Sequence, residues 1–113
     1  MSFFDSDVVR AEMVEISELQ EEVYDNVFKF PTMSREDQQY HVELIEKLLD
    51  KQKIMYTRLS LSDDPDAQNL KRNICEAAVK MGLPPNIDIN ILFSQMRQMI
   101  SMMRQHIDNT PSR

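Results

Sequence analysis

Glycine is nearly missing from this chain: Gly82 is the single one in 113 residues. Sheets joined by tight turns need residues at positive φ, and glycine is their usual supplier. Strand-like alternation is missing too, so the sequence argues against a β architecture and for helices throughout. Cysteine is equally scarce. Cys75 alone cannot form an internal disulfide and fits a reducing compartment. No apolar run approaches the roughly 20 residues of a membrane span. The opening Met-Ser-Phe-Phe-Asp-Ser-Asp lacks the basic and apolar regions of a secretion signal, and a cytoplasmic protein is expected.

The equipment of catalysis is absent as well. There is no Gly-rich phosphate loop, no G-x-S-x-G elbow and no tryptophan. No H-E-x-x-H, C-x-x-C or paired E-x-x-H occurs, His41 and His106 stand far apart, and Cys75 has no neighbour at ligand spacing. His41 falls on the apolar side of its helix, where a lone histidine is a core residue far more often than a ligand. The expectation is a non-enzymatic protein with no catalytic residue, no cofactor and no metal.

What is present is an ordinary globular composition, 42% hydrophobic and 28% charged, long enough for one domain over residues 1–113. The net charge of −6 is unevenly placed. Residues 1–30 hold eight acids against Arg10 and Lys29, whereas residues 31–113 hold eleven of each sign. The whole imbalance lies in the first helix, which argues against direct nucleic-acid binding there.

Periodicity and punctuation predict an all-α, compact bundle of about four helices with short loops, near 7–29, 35–59, 65–81 and 89–107, and no strand of four or more residues. Asp5 or Ser6 caps the first, whose stripe is Val9, Met13, Ile16, Leu19, Val23 and Val27. Lys29-Phe30-Pro31 ends it, because the residue before proline leaves the α region. Ser34 to Asp37 opens the second in the manner of a capping box, with Val42, Leu44, Ile45, Leu48, Leu49 and Met55 facing inward and Leu59 closing the stripe. Asp64-Pro65 starts the third, which buries Leu70, Ile74, Ala77, Ala78 and Met81 before Gly82 ends it. After the stiff Pro84-Pro85 link, Asn86 or Asp88 starts the fourth. Its stripe includes Ile89, Phe93, Met96, Met99, Ile100 and Met103, with Ile91 and Met102 on the opposite face. The tail 108–113 is expected to fray.

Two surfaces are candidate partner sites. Glu15, Glu18, Glu21, Glu22 and Asp25 occupy one arc of the first helix, and the pairs Glu18/Glu22 and Glu21/Asp25 repel at i,i+4. Read plainly, this is a solvated face; read sharply, it docks a basic partner that would offset the repulsion. On the second helix Tyr40, Lys47, Lys51, Ile54 and Arg58 share a side away from the core; a solvated surface is the leading reading there too, and the exposed Ile54 is what speaks for a contact strip for protein or nucleic acid. Four of nine methionines crowd into the last helix, and methionine suits surfaces that must repack.

Several short motifs carry a resemblance. Phe3-Phe4-Asp5-Ser6-Asp7-Val8-Val9, Leu59-Ser60-Leu61-Ser62-Asp63-Asp64 and Phe93-Ser94-Gln95-Met96 followed by Met103 resemble a family of short cyanobacterial proteins of unknown function that open on an FFDS-type motif. Arg58, Gly82, Leu83 and Pro84 match further positions approximately. Val27–Pro31 and Ala67–Met81 depart from the family pattern, as in a divergent branch, and copies carried by cyanophages would be one source. The resemblance implies a helical fold and a cyanobacterial setting; it brings no activity and no functional residues.

The leading functional expectation is a helical adaptor or regulator that docks on a larger host protein assembly. The alternatives are a viral-type transcription accessory protein contacting RNA polymerase and, with least support, a small helical enzyme or metal-dependent protein. Phe3, Phe4, Phe28 and Phe30 would be costly to leave wet, so a homodimer with residues 3–4 and 27–30 near the contact is favoured over fold-back. Leu48→Ala and Ile100→Ala are each expected to cost about 2–5 kcal/mol.

Overall fold

The second helix organises the molecule. The computed structural model describes residues 3–80, 82–85 and 88–109. These form α1 (Asp7–Asn26), α2 (Arg35–Leu61), α3 (Pro65–Lys80) and α4 (Ile89–Asn109), with short 3-10 turns at Phe3–Asp5 and Val27–Thr32. No strand occurs among the described residues. The expected all-α bundle of four helices is the observed fold.

Local chemistry sets the boundaries. The Ser6 hydroxyl accepts from Val9 N at 3.4 Å, and that of Ser34 from Asp37 N at 3.2 Å. Asp64 Oδ1 accepts from Asp66 N at 2.8 Å and Asp88 Oδ1 from Asn90 N at 3.0 Å, so four polar side chains satisfy helix-start donors. Gly82, at φ +105°, closes α3 in a Schellman motif: its N–H donates to Val79 O and that of Leu83 to Ala78 O. Helix α1 stops at Asn26, three residues before the expected end. There the Asn26 amide donates to Glu22 O at 2.7 Å, and the chain tightens into the 3-10 turn that contains Pro31. Helix α4 includes Asp108 and Asn109, which were expected to fray; the rest of that tail, like Met81 and Asn86, lies outside the described residues.

Helices α1 and α4 pack on different sides of α2, both antiparallel to it, as the cross-helix pairs Glu12–Arg58 and Glu46–Arg104 require. Apolar packing divides into two clusters strung along α2. Val42 and Leu49, in its first half, meet Ile100 and Ile107 of α4. Met55 and Leu59, in its second half, meet Val9 of α1 and Ala67 of α3. Leu49 is 1% exposed whereas Leu48 is only half-buried, so the wheel placed the centre of this face one residue early. Ala77, expected to face inward, is exposed, and Met99, assigned to the buried stripe, is 63% exposed.

Of the four phenylalanines in residues 3–4 and 27–30, three pack half-buried against their own chain. Phe3 and Phe4, edge to face at 5.2 Å, pack on the Val9 cluster, and Phe3 N donates to Asp64 Oδ2. Phe30 packs on the Val42 cluster. Fold-back, the less favoured expectation for these rings, is what occurs, and Phe28 alone stays 92% exposed.

The result is a slab of 54 × 33 × 19 Å with a radius of gyration of 16.3 Å, against about 13 Å for a rounder domain of this length. Among the described residues, no helix is long and apolar enough to cross a membrane.

Candidate partner-binding surface

The two candidate surfaces of the sequence meet each other. Lys51 pairs with Glu15, Arg58 Nη1 lies 2.5 Å from Glu12 Oε2, and the Tyr40 hydroxyl donates to Glu22 at 3.3 Å. These contacts follow the antiparallel register, with α1 positions rising as α2 positions fall. Lys51, Arg58 and Tyr40 therefore turn toward α1 and not away from the body of the protein. Glu15 and Glu22 of the predicted arc answer Lys51 and Tyr40, and Glu12, outside that arc, answers Arg58. Glu18, Glu21 and Asp25 stay exposed on the outer edge of α1, and Lys47 and Ile54 stay exposed on the outer side of α2. A signal for this existed: acids and cations spaced along two adjacent amphipathic helices can pair across them, which a search for i,i+4 partners overlooks.

On the other flank of α2, Asp50 pairs with Arg97, and Glu46 Oε2 with Arg104 Nη1 at 2.6 Å. The Lys51 hydrogen bond and charge, helped by Lys47, hold the Glu15 carboxyl below the usual carboxylate range. All these pairs remain partly wet, so each adds little to stability. They set register more than they supply stability.

The opposite side of α2 is apolar. An open trough runs between α1 and α4 with α2 as its floor. Its larger part, about 520 Å³, lies between Met13 and Ile16 of α1, Met55 and Tyr56 of α2, and Phe93 and Met96 of α4, and α3 closes its end through Leu70 and Ile74. A smaller part of about 300 Å³ continues beyond Met96 past Ile45, Met99 and Met103 to Val27 and Phe30. No acid, lysine or arginine lines either part. The trough follows from the division of the core. The short α3 covers only one end of α2, so the two apolar clusters do not merge and the seam between them stays open. Met99 is exposed for that reason, since it lines a wall with nothing packed opposite.

His41 sits at the end of the smaller part, 3% exposed, its ring 5.5 Å from that of Phe30. It is the core histidine that the wheel implied, but its Nδ1 has no hydrogen-bond partner among the described residues. Burial lowers its pKa from the usual value. Burial also raises that of the Tyr56 hydroxyl, aided by the contact with Cys75 Sγ at 3.8 Å. His106 is exposed on α4, and among the described residues no group of histidine, cysteine and acids is arranged to hold a metal.

Fold and surface together define a small all-α protein built on one central helix, with paired charges on one side and an open apolar trough on the other. The chain belongs to the family described as a domain of unknown function, DUF1825, which it matches over residues 1–107. No curated protein and no solved structure matches it.

Proposed function

We propose that this chain is a non-enzymatic adaptor or regulatory protein that docks on a larger protein assembly of a cyanobacterial host. The observation that supports this reading is the uncharged trough. In a chain with 28% charged residues, the trough is lined mainly by methionine, isoleucine, leucine and phenylalanine, with Ser17, Gln20 and Gln52 as uncharged polar members, and Met99 and Met13 are 63% and 39% exposed. Contiguous wet apolar surface with polar side chains at its rim supports an interaction site. Methionine adapts its shape to whatever enters, which suits protein recognition.

Gel filtration of a host lysate containing the tagged chain tests this reading. The chain should elute together with other proteins at a mass far above its own 13.3 kDa. Elution at the mass of the free chain, or of its own oligomer, would overturn it. An assembly that contains RNA polymerase subunits would select the transcription-accessory form of the same reading.

A further inference from the structure

We propose that the trough holds an amphipathic helix of a partner protein whose basic edge lies along Glu18, Glu21 and Asp25 of α1. This inference rests on the adaptor reading and names the chemistry of what is bound.

The dimensions fit a helix. From Ile45 to Tyr56 the floor runs roughly 16 Å at 1.5 Å per residue, the length of three helical turns. A helix laid there presents apolar side chains at i, i+4, i+7 and i+11, the pattern by which helices bind in grooves. Both walls are helical, so ridges of the guest can enter grooves on α1 and α4.

Charge then selects the guest. Going round α1 from the trough, the wall residues Met13 and Gln20 are followed by Ser17 and Tyr24 at the rim, then by Glu21, Asp25 and Glu18. These three acids are exposed, and none has an ion pair among the described residues. Acids on the α2 side of the same helix, Glu12 and Glu15, are paired. The α4 wall offers no acidic counterpart among the described residues: His106, Gln95, Met102, Ile91 and Gln98 follow Met99 on its outer side, and Arg97 and Arg104 are engaged with Asp50 and Glu46. The field across the trough is therefore one-sided. Lysines or arginines along one edge of the guest relieve the like-charge repulsion on α1 and fix which way round the guest lies.

Fluorescence anisotropy with designed peptides tests the inference on the purified full chain. The probe is a helical peptide of about 18 residues with leucines at i, i+4, i+7 and i+11 and lysines along one edge. Its companion carries glutamates on that edge. The lysine peptide should bind about tenfold tighter or better at low salt, and high salt should shrink the difference. Met13→Glu and Met99→Glu, one on each wall, should each weaken binding about tenfold. Ser101→Glu, exposed on the far side of α4, should leave it unchanged. The triple change E18K/E21K/D25K should invert the preference between the two peptides. Equal affinity for both peptides, or binding indifferent to Met99→Glu, would overturn the proposal. So would light scattering at twice the chain mass that Met99→Glu reduces to one, since the trough would then belong to a second copy. If neither peptide binds while the chain still elutes with a large assembly, the trough proposal fails and the adaptor reading stands. If the lysine peptide binds while the chain elutes alone from lysate, the adaptor reading fails and the trough assignment stands.

Discussion

Helix α2 is lined with charge on one side and with a trough on the other, and the same two neighbours, α1 and α4, flank both. On the charged side, cations and acids reach across to one another: Lys51 to Glu15, Arg58 to Glu12, Arg97 to Asp50, Arg104 to Glu46. On the trough side nothing among the described residues reaches across, because the apolar side chains at the seam of two clusters have open space opposite them. The first side uses up its potential for binding inside the molecule. The second keeps it. Where a small helical protein is open to a partner is thus shown less by how much charge or apolar surface a face carries than by whether that face is already answered from within.

The largest effects should come from the core between the two sides. Leu49→Ala and Ile100→Ala each remove a side chain of the α2–α4 cluster, 1% and 4% exposed, and should each cost about 2–5 kcal/mol in urea unfolding. Leu48→Ala, half-buried, should cost less than Leu49→Ala. The reverse order would mean that α2 is rotated from the orientation described. Leu59→Ala probes the second cluster, at 0% exposure, and should lower the same single transition. Two separate transitions would show that the two clusters unfold independently.

His41 comes next, at the end of the trough. Burial lowers its pKa in the folded chain below the ordinary 6.5 of the unfolded one. As pH falls below about 6.5 the unfolded chain takes up the proton first, so this histidine's contribution is complete above that pH and is lost below it. The melting temperature of the wild type should therefore fall more steeply between pH 6.5 and 5 than that of His41→Leu, as both approximate limits bracket the histidine range. Parallel curves would mean that the ring is hydrated in solution.

Much of the fold was legible in the residues. Ser6, Ser34, Asp64 and Gly82 act locally, through their own side chains or backbone angles, and each marks the helix end that it was expected to mark. The end of α1 was misjudged by three residues, because Asn26 offers the backbone a competing hydrogen bond that periodicity does not record. The candidate site was legible only in part. The acids of α1 and the cations of α2 were visible, but that half of each set faces the other depends on how two helices are rotated about their axes. The trough was hidden altogether. Met99 shares a stripe with Ile100 and Met103, and no wheel tells which member of a stripe lies over a seam.

The ion pairs should give smaller effects than the core or His41. A double-mutant cycle on Glu12 and Arg58, using alanine at each, should return a coupling of about 0.2–1 kcal/mol that declines with salt. Coupling several times larger would show that the pair is shielded from water, and the charged side would then contribute to stability as well as to register.

The smallest effect on folding should come from the trough itself, and it is the sharpest test of the difference between the two sides. Met99 and Ile100 are neighbours in sequence on one helix, 63% and 4% exposed. A glutamate at Met99 keeps its carboxylate in water, so Met99→Glu should change unfolding stability by no more than about 0.5 kcal/mol, as exposed substitutions do. A glutamate at Ile100 would have to bury its charge against Val42 and Leu49, and should unfold the chain or nearly so. If Met99→Glu instead destabilises the isolated protein by several kcal/mol, the wall is not wet in solution. The trough would then be closed, either by collapse of α4 toward α1 or by a second copy, and the concentration dependence of the melting temperature separates these, since only association makes it rise with protein concentration.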